Sequence, residues 1–204
     1  VAFALTLACK DPTQITLGID TDVACATATS GVRLADVGIA ASRSLLADDA
    51  NLFVTTAAGC ESEGRVGSLV LVPAEGRSDD FVEVLVVAGV QTDAAASSAN
   101  DCEARRAAGT MEGEPCIVVR RRLGFVKSTL LELSVTIEEA CIGKPCEADQ
   151  TCFKGACVEA TVDCDGGVCK DPGSGRSSSS PCTPPTSPVP PSSPNVCALC
   201  SRSS

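Results

Sequence analysis

A chain of 204 residues suits one domain of ordinary size, or one domain with a small appendage. It contains no His, Trp or Tyr, so the usual proton shuttle, the commonest metal ligand and the best ring-stacking platforms are missing, and much catalysis is excluded with them. Fourteen Cys point to an oxidising compartment, and a net charge of −10 repels nucleic acid and anionic lipid, so neither is expected as a partner.

The chain opens with eight uncharged residues, Val1 to Ala8, and a Cys at position 9. Leu5-Thr6-Leu7-Ala8-Cys9 resembles a bacterial lipobox, in which the Cys receives diacylglycerol and becomes the mature N-terminus. On that reading residues 1–8 are a signal remnant and Cys9 is the lipidation site. The alternative is a β-strand followed by an ordinary disulfide cysteine. Cysteine parity leaves both open, because the ten Cys from Cys25 to Cys169 already form an even set. No other apolar run approaches the roughly 20 residues needed to span a bilayer, so membrane attachment is expected only through lipid.

Residues 9–140 form the next expected unit. Short apolar stretches of period two recur, separated by Gly, Asp, Asn and Ser clusters, which is the pattern of half-buried strands. Ile15, Leu17 and Ile19 mark the first. Val32, Leu34, Val37 and Ile39 mark the second, with a bulge expected at Ala35-Asp36. Asn51 to Thr56 and Ser68 to Val72 follow. Phe81 to Val90 is almost continuously apolar, as suits a central strand covered on both faces. A short helix is expected over Asp101 to Ala108, capped by Asp101 and stopped by Gly109. Ile117 to Phe125 and Leu131 to Ile137 complete the set. Seven strands over about 125 residues match an all-β, immunoglobulin- or fibronectin-like sandwich. Its aromatic supply is thin, so Cys102 bonded to Cys116, and Cys25 to Cys60, are expected to staple its loops.

Within the sixth strand, Arg120, Arg121 and Arg122 interrupt an apolar run. Alternation from Ile117, Val119, Leu123 and Phe125 would turn Arg121 inward. A bulge that resets the register is the expected escape; the alternative is a partly buried Arg121 paired with a carboxylate such as Glu83 or Glu132.

Residues 141–170 change character, with six Cys in the spacing Cys141-IGKP-Cys146-EADQT-Cys152-FKGA-Cys157-VEATVD-Cys164-DGGV-Cys169. Together with Cys9 and the Arg-rich strand, this resembles a group of uncharacterised predicted lipoproteins of myxobacteria. Those carry a lipobox, a β-rich domain and a module of the form C-x-G-x-P-C-x-x-x-x-T-C-x-x-G-x-C. The resemblance brings no activity with it. The module is also similar to a truncated EGF repeat, without the acidic and Asn positions of a calcium-binding one. Six Cys permit 15 pairings. Lys154-Gly155 reads as a hairpin turn that sets Cys152 opposite Cys157, too far apart for a relaxed bridge, which favours bonding each arm backwards: Cys141 to Cys152 and Cys146 to Cys157, leaving Cys164 for Cys169.

Residues 171–204 hold 11 Ser and 8 Pro and are expected to be disordered. Cys182, Cys197 and Cys200 fall here. Cys197-Ala-Leu-Cys200 has the spacing of a zinc or redox pair, but with no His and no surrounding fold, structural disulfides are the expected cysteine chemistry, and no metal or cofactor is expected. Paired carboxylates such as Asp20 with Asp22, Asp48 with Asp49 and Asp79 with Asp80 read as solvated loop charge, with a weak calcium site at Asp20 and Asp22 as a distant second. The expected function is a non-enzymatic, lipid-anchored structural or binding module of the cell envelope, facing the periplasm or exterior, with a protein or other envelope component as partner. The alternatives are a secreted protease inhibitor presenting the loop between Cys102 and Cys116, and an enzyme built on carboxylates.

Overall fold

The strands pair as their alternation requires. In the computed structural model, which describes residues 12–25, 31–42, 53–74, 80–165, 167–169 and 172, β1 (Gln14–Thr21) buries Ile15, Leu17 and Ile19 and turns the intervening residues outward. β7 (Leu130–Ile137) does the same with Leu131, Leu133, Val135 and Ile137. The two run parallel in unbroken register, Ile15 beside Leu131 and Leu17 beside Leu133, so their apolar rows stack on one face. β4 (Arg65–Leu71) lies antiparallel on the other side of β1, with Val66 left over as a bulge.

A second sheet combines β2 (Arg33–Ser42), β3 (Thr55–Ala57), β5 (Phe81–Gln91) and β6 (Cys116–Gly124) in the order β3-β2-β5-β6. Its inward residues Leu34, Val37, Val84, Val86, Ile117 and Val119 share one apolar core with those of β1 and β7. The expected bulge is present: Leu34 pairs with Val90 and Asp36 with Gly89, leaving Ala35 without a partner. The third strand is shorter than Asn51 to Thr56, and its first two expected residues lie outside the described ones.

The near-continuous apolar run of β5 has a double cause. Val84, Val86 and Ala88 face the shared core, while Leu85 and Val87 face outward against a second cluster with Cys102 and Met111. Cys102 belongs to α1 (Ala99–Ala108), which packs on that outer face. The cap lies three residues earlier than expected. Ser98 is the N-cap, accepting from the Asp101 amide at 3.2 Å, while Asp101 accepts from Ser98 N at 3.1 Å and closes a capping box. The Ser98 hydroxyl, donating to Asp101 Oδ2 at 2.7 Å, and then the Ser98 amide hold the Asp101 carboxyl below its ordinary 3.8. The bulged Asp36 reaches the same helix end, accepting from the Ala99 amide at 2.8 Å. Opposite it, Gly89 has no side chain to collide with the Ser97 carbonyl, so the chain can enter the helix directly over the sheet.

Among the described residues the fold is all-β apart from this helix and two single 3-10 turns, but its strand grouping is not that of an immunoglobulin domain. There the first, second, fifth and fourth strands form one sheet and the third, sixth and seventh the other. Here the first leaves the second to lie between the fourth and seventh. Strand count and alternation specify a buried face for each strand and say nothing of which neighbour it pairs with.

After β7 come a 3-10 turn (Glu139–Cys141) and a hairpin of β8 (Gln150–Phe153) and β9 (Ala156–Glu159), with Lys154 and Gly155 at its tip in positive φ. β10 (Cys164–Asp165) and β11 (Val168–Cys169) then extend the first sheet beyond β7, giving the order β10-β11-β7-β1-β4. Among the described residues five disulfides join Cys25 to Cys60, Cys102 to Cys116, Cys141 to Cys152, Cys146 to Cys157 and Cys164 to Cys169. Such a set belongs to an extracellular or otherwise oxidising compartment. No helix among the described residues is long and apolar enough to cross a membrane. The lipobox segment with Cys9, the Asp48–Asp49 pair, Asp79, and the Ser/Pro tail beyond Pro172, with Cys182, Cys197 and Cys200, lie outside the described residues.

Candidate binding cleft

The arginine run organises the joint between the sandwich and the cysteine module. β6 pairs with β5 without a break from Cys116 to Gly124, so the register-resetting bulge expected near Arg121 does not occur. Arg121 instead points inward with Ile117, Val119 and Leu123, and is only 2 % exposed. A buried guanidinium is tolerated because the module brings acceptors to it. Arg121 Nη1 donates to Thr151 Oγ1 at 3.0 Å and to the Arg120 carbonyl at 2.8 Å. Thr151 is itself buried and also accepts from the Arg120 amide at 3.0 Å. Its Oγ1 therefore ties strand backbone and strand side chain to β8.

The outward neighbours complete the joint. Arg120 Nη1 points into a ring of backbone carbonyls, donating to Glu147 at 2.9 Å, Gln150 at 3.3 Å and Cys146 at 3.5 Å. Burial, and then the charge of Arg106, hold its guanidinium below the usual arginine value; the group remains a cation. Arg122 contributes its backbone: its amide donates to the Ala160 carbonyl at 2.9 Å and its carbonyl accepts from the Val162 amide at 2.8 Å. Segment 160–162 thus acts as one more strand on the open edge of β6, while β11 covers β7. Both sheets lose their exposed edge on the same side.

At the start of the module, Gly113 N donates to the Gly143 carbonyl at 3.0 Å and Gly143 N to the Cys116 carbonyl at 2.8 Å. Gly143 has a φ of 63°, and a Cβ on it would fall 2.8 Å from Gly113 Cα, so only glycine allows this approach. Lys154 N donates to Glu138 Oε2, and Glu139 N to Asp22 Oδ1 at 2.6 Å. Asp22 is thereby committed to a backbone amide. Asp20 lies on the outer face of β1, 3.4 Å from Ser134 Oγ. No metal-binding cluster occurs among the described residues.

Between the outer face of β5 and β6, the last turn of α1 and the module lies a cleft of about 320 Å³. Arg106, Arg120, Arg121 and Arg122 line it together with Glu83, Asp149 and Glu159. Glu83 stands opposite Arg122 in the ladder, 3.7 Å from its Nε, and the Arg122 guanidinium lies 4.2 Å from the centre of the Phe81 ring. Arg106 is held from below by Glu103, one turn earlier, at 2.5 and 2.6 Å. Such fixed guanidinium forks recognise oxyanions. The sequence offered the arginine run and the Thr of the cysteine motif as signals. It offered none for Asp149, Glu159 or Arg106, which meet β6 only through the tertiary fold. No protein-family model, curated protein or solved structure matches the chain.

Proposed function

We propose that this chain is a non-enzymatic module of the cell envelope, held at a membrane by lipid on Cys9 and serving as a braced structural or binding body outside the cytoplasm. One observation carries the reading: the cysteine module is bonded along the arginine strand so that sandwich and module form a continuous surface with a built cleft at the seam. The Arg121 guanidinium and the Thr151 hydroxyl are engaged in holding that seam. The kinship of the module to an EGF repeat belongs to the same proposal. It rests on the small hairpin and on bridges that run first to third, second to fourth and fifth to sixth.

A protease inhibitor would present the segment between Cys102 and Cys116 as an exposed loop free of internal contacts. That segment instead continues α1 as far as Ala108, buries Met111 and bonds to Gly143, which favours the binding-module reading. Fractionation of cells expressing the protein behind its native leader tests the anchor. The parent should sediment with membranes and Cys9→Ser should be released or left unprocessed; equal retention of both forms refutes lipidation.

A further inference from the structure

The charges of the cleft are unevenly used. Arg122 is 49 % exposed along its side chain, and its only side-chain partners among the described residues are Glu83, at 3.7 Å, and the Phe81 ring. That distance exceeds an N–H···O bond, so the ion pair leaves the guanidinium donors unspent. Arg120 directs Nη1 at carbonyls, while its Nε and Nη2 donate to nothing among the described residues. Both arginines project from the same outer face of β6, two residues or about 6.5 Å apart. Arg121 turns its guanidinium inward, so the guanidinium groups of Arg106, Arg120 and Arg122 stand against the carboxylates of Glu83, Asp149 and Glu159, a balanced lining in a chain whose net charge is −10. Ala148 and Ala160 supply a small apolar wall.

We propose that this cleft binds a small carboxylate, its oxygens on the free donors of Arg120 and Arg122 and its short apolar body against Ala148 and Ala160. Planar guanidinium forks match a carboxylate in geometry. A lining balanced in charge suits a monoanion, because Glu83, Asp149 and Glu159 would repel the second charge of a phosphate. A volume of about 320 Å³ stands at the lower end of small-ligand pockets, enough for a molecule of about ten heavy atoms. Burial and the neighbouring Arg106 charge already disfavour the Arg120 cation, so an arriving anion relieves a standing cost. The proposal goes beyond the envelope reading and does not depend on the lipid anchor, so an empty cleft would leave the fractionation test untouched.

The full chain, labelled with 15N, is titrated with sodium butyrate and separately with inorganic phosphate at constant ionic strength. Backbone amides of residues 120–122 and 159–161 and the arginine Nε–H groups are followed. Butyrate should give saturable shifts confined to these groups, at least threefold tighter than phosphate. Arg122→Gln should weaken butyrate at least tenfold while the amides of Leu131–Ile137 stay in place, since Arg122 holds the module through its backbone alone. Glu83→Gln should tighten butyrate severalfold by removing the competing carboxylate. Shifts that never saturate, or Arg122→Gln binding like the parent, would overturn the site. Phosphate binding more tightly than butyrate would overturn the carboxylate assignment.

Discussion

The sandwich and the cysteine module solve the same problem by opposite means. Residues 14–137 bury a continuous set of branched aliphatic side chains between two sheets, and two of the five disulfides lie wholly among them. From Cys141 to Cys169, three disulfides hold 29 residues whose buried side chains are few: Cys141, Thr151, Cys152, Ala160 and Val162. A segment that short cannot remove enough apolar surface from water to offset its conformational entropy, so covalent closure substitutes for a core. The module then borrows the larger core, with Cys141, Cys152 and Val162 packed into it. Sandwich stability should therefore respond to methylene groups, and module stability to bridges and to the hydrogen bonds of the seam.

The largest effect should come from the core. Leu17→Ala, at a fully buried position between Ile15 and Ile19, should cost about 2–5 kcal/mol in urea unfolding. A loss under 1 kcal/mol would mean that the sandwich does not rest on its apolar contacts. Next, replacing both Cys146 and Cys157 by Ala should cost about 2–4 kcal/mol, and hydrogen exchange should place that loss in the module. Amides of β8 and β9 should exchange faster while those of β7 keep their protection; equal loss in both would erase the contrast between the regions.

The seam sharpens the comparison. Thr151→Val removes the acceptor of both Arg121 Nη1 and the Arg120 amide, and should cost about 1–3 kcal/mol. Arg121→Met removes a buried charge and leaves the Thr151 bond to the Arg120 amide in place, so it should cost less. The reverse ranking in thermal unfolding would show that Arg121 is held by something other than the module.

The smallest effect lies at the helix that covers the second sheet. Ser98→Ala should cost about 1 kcal/mol at neutral pH. Asp101 adds a pH dependence of known sign. Its native carboxyl titrates below the ordinary 3.8, so its contribution is present above that value and is lost as pH falls through the depressed native one. Stability of the parent should drop over this acid range more steeply than that of Asp101→Asn, measured by parallel urea titrations.

Much of the architecture was legible because the local signals agree with one another. Period-two alternation in Ile15 to Ile19 and in Leu131 to Ile137 requires a half-buried strand in any arrangement. The unbroken apolar run of β5 requires cover on both faces, and the bulge at Ala35 follows from a slip in the alternation of Val32, Leu34, Val37 and Ile39. At Arg121 the alternation was correct and the bulge meant to rescue it was not. Local reasoning had no means of knowing that a threonine 30 residues away would arrive to accept its hydrogen bonds.

The sequence by itself determined which residues form strands, which face each strand buries, and that a cysteine-braced unit follows them. Periodicity, turn chemistry and the oxidising chemistry of Cys are all properties of neighbours along the chain. Only the tertiary structure decided that β1 pairs with β7 rather than with β2, that α1 roofs one sheet, and that Arg106, Glu83, Asp149 and Glu159 meet around the arginine strand. Those arrangements depend on contacts between residues far apart in the chain, and an alternating strand fits several neighbours equally well until the whole core has been closed.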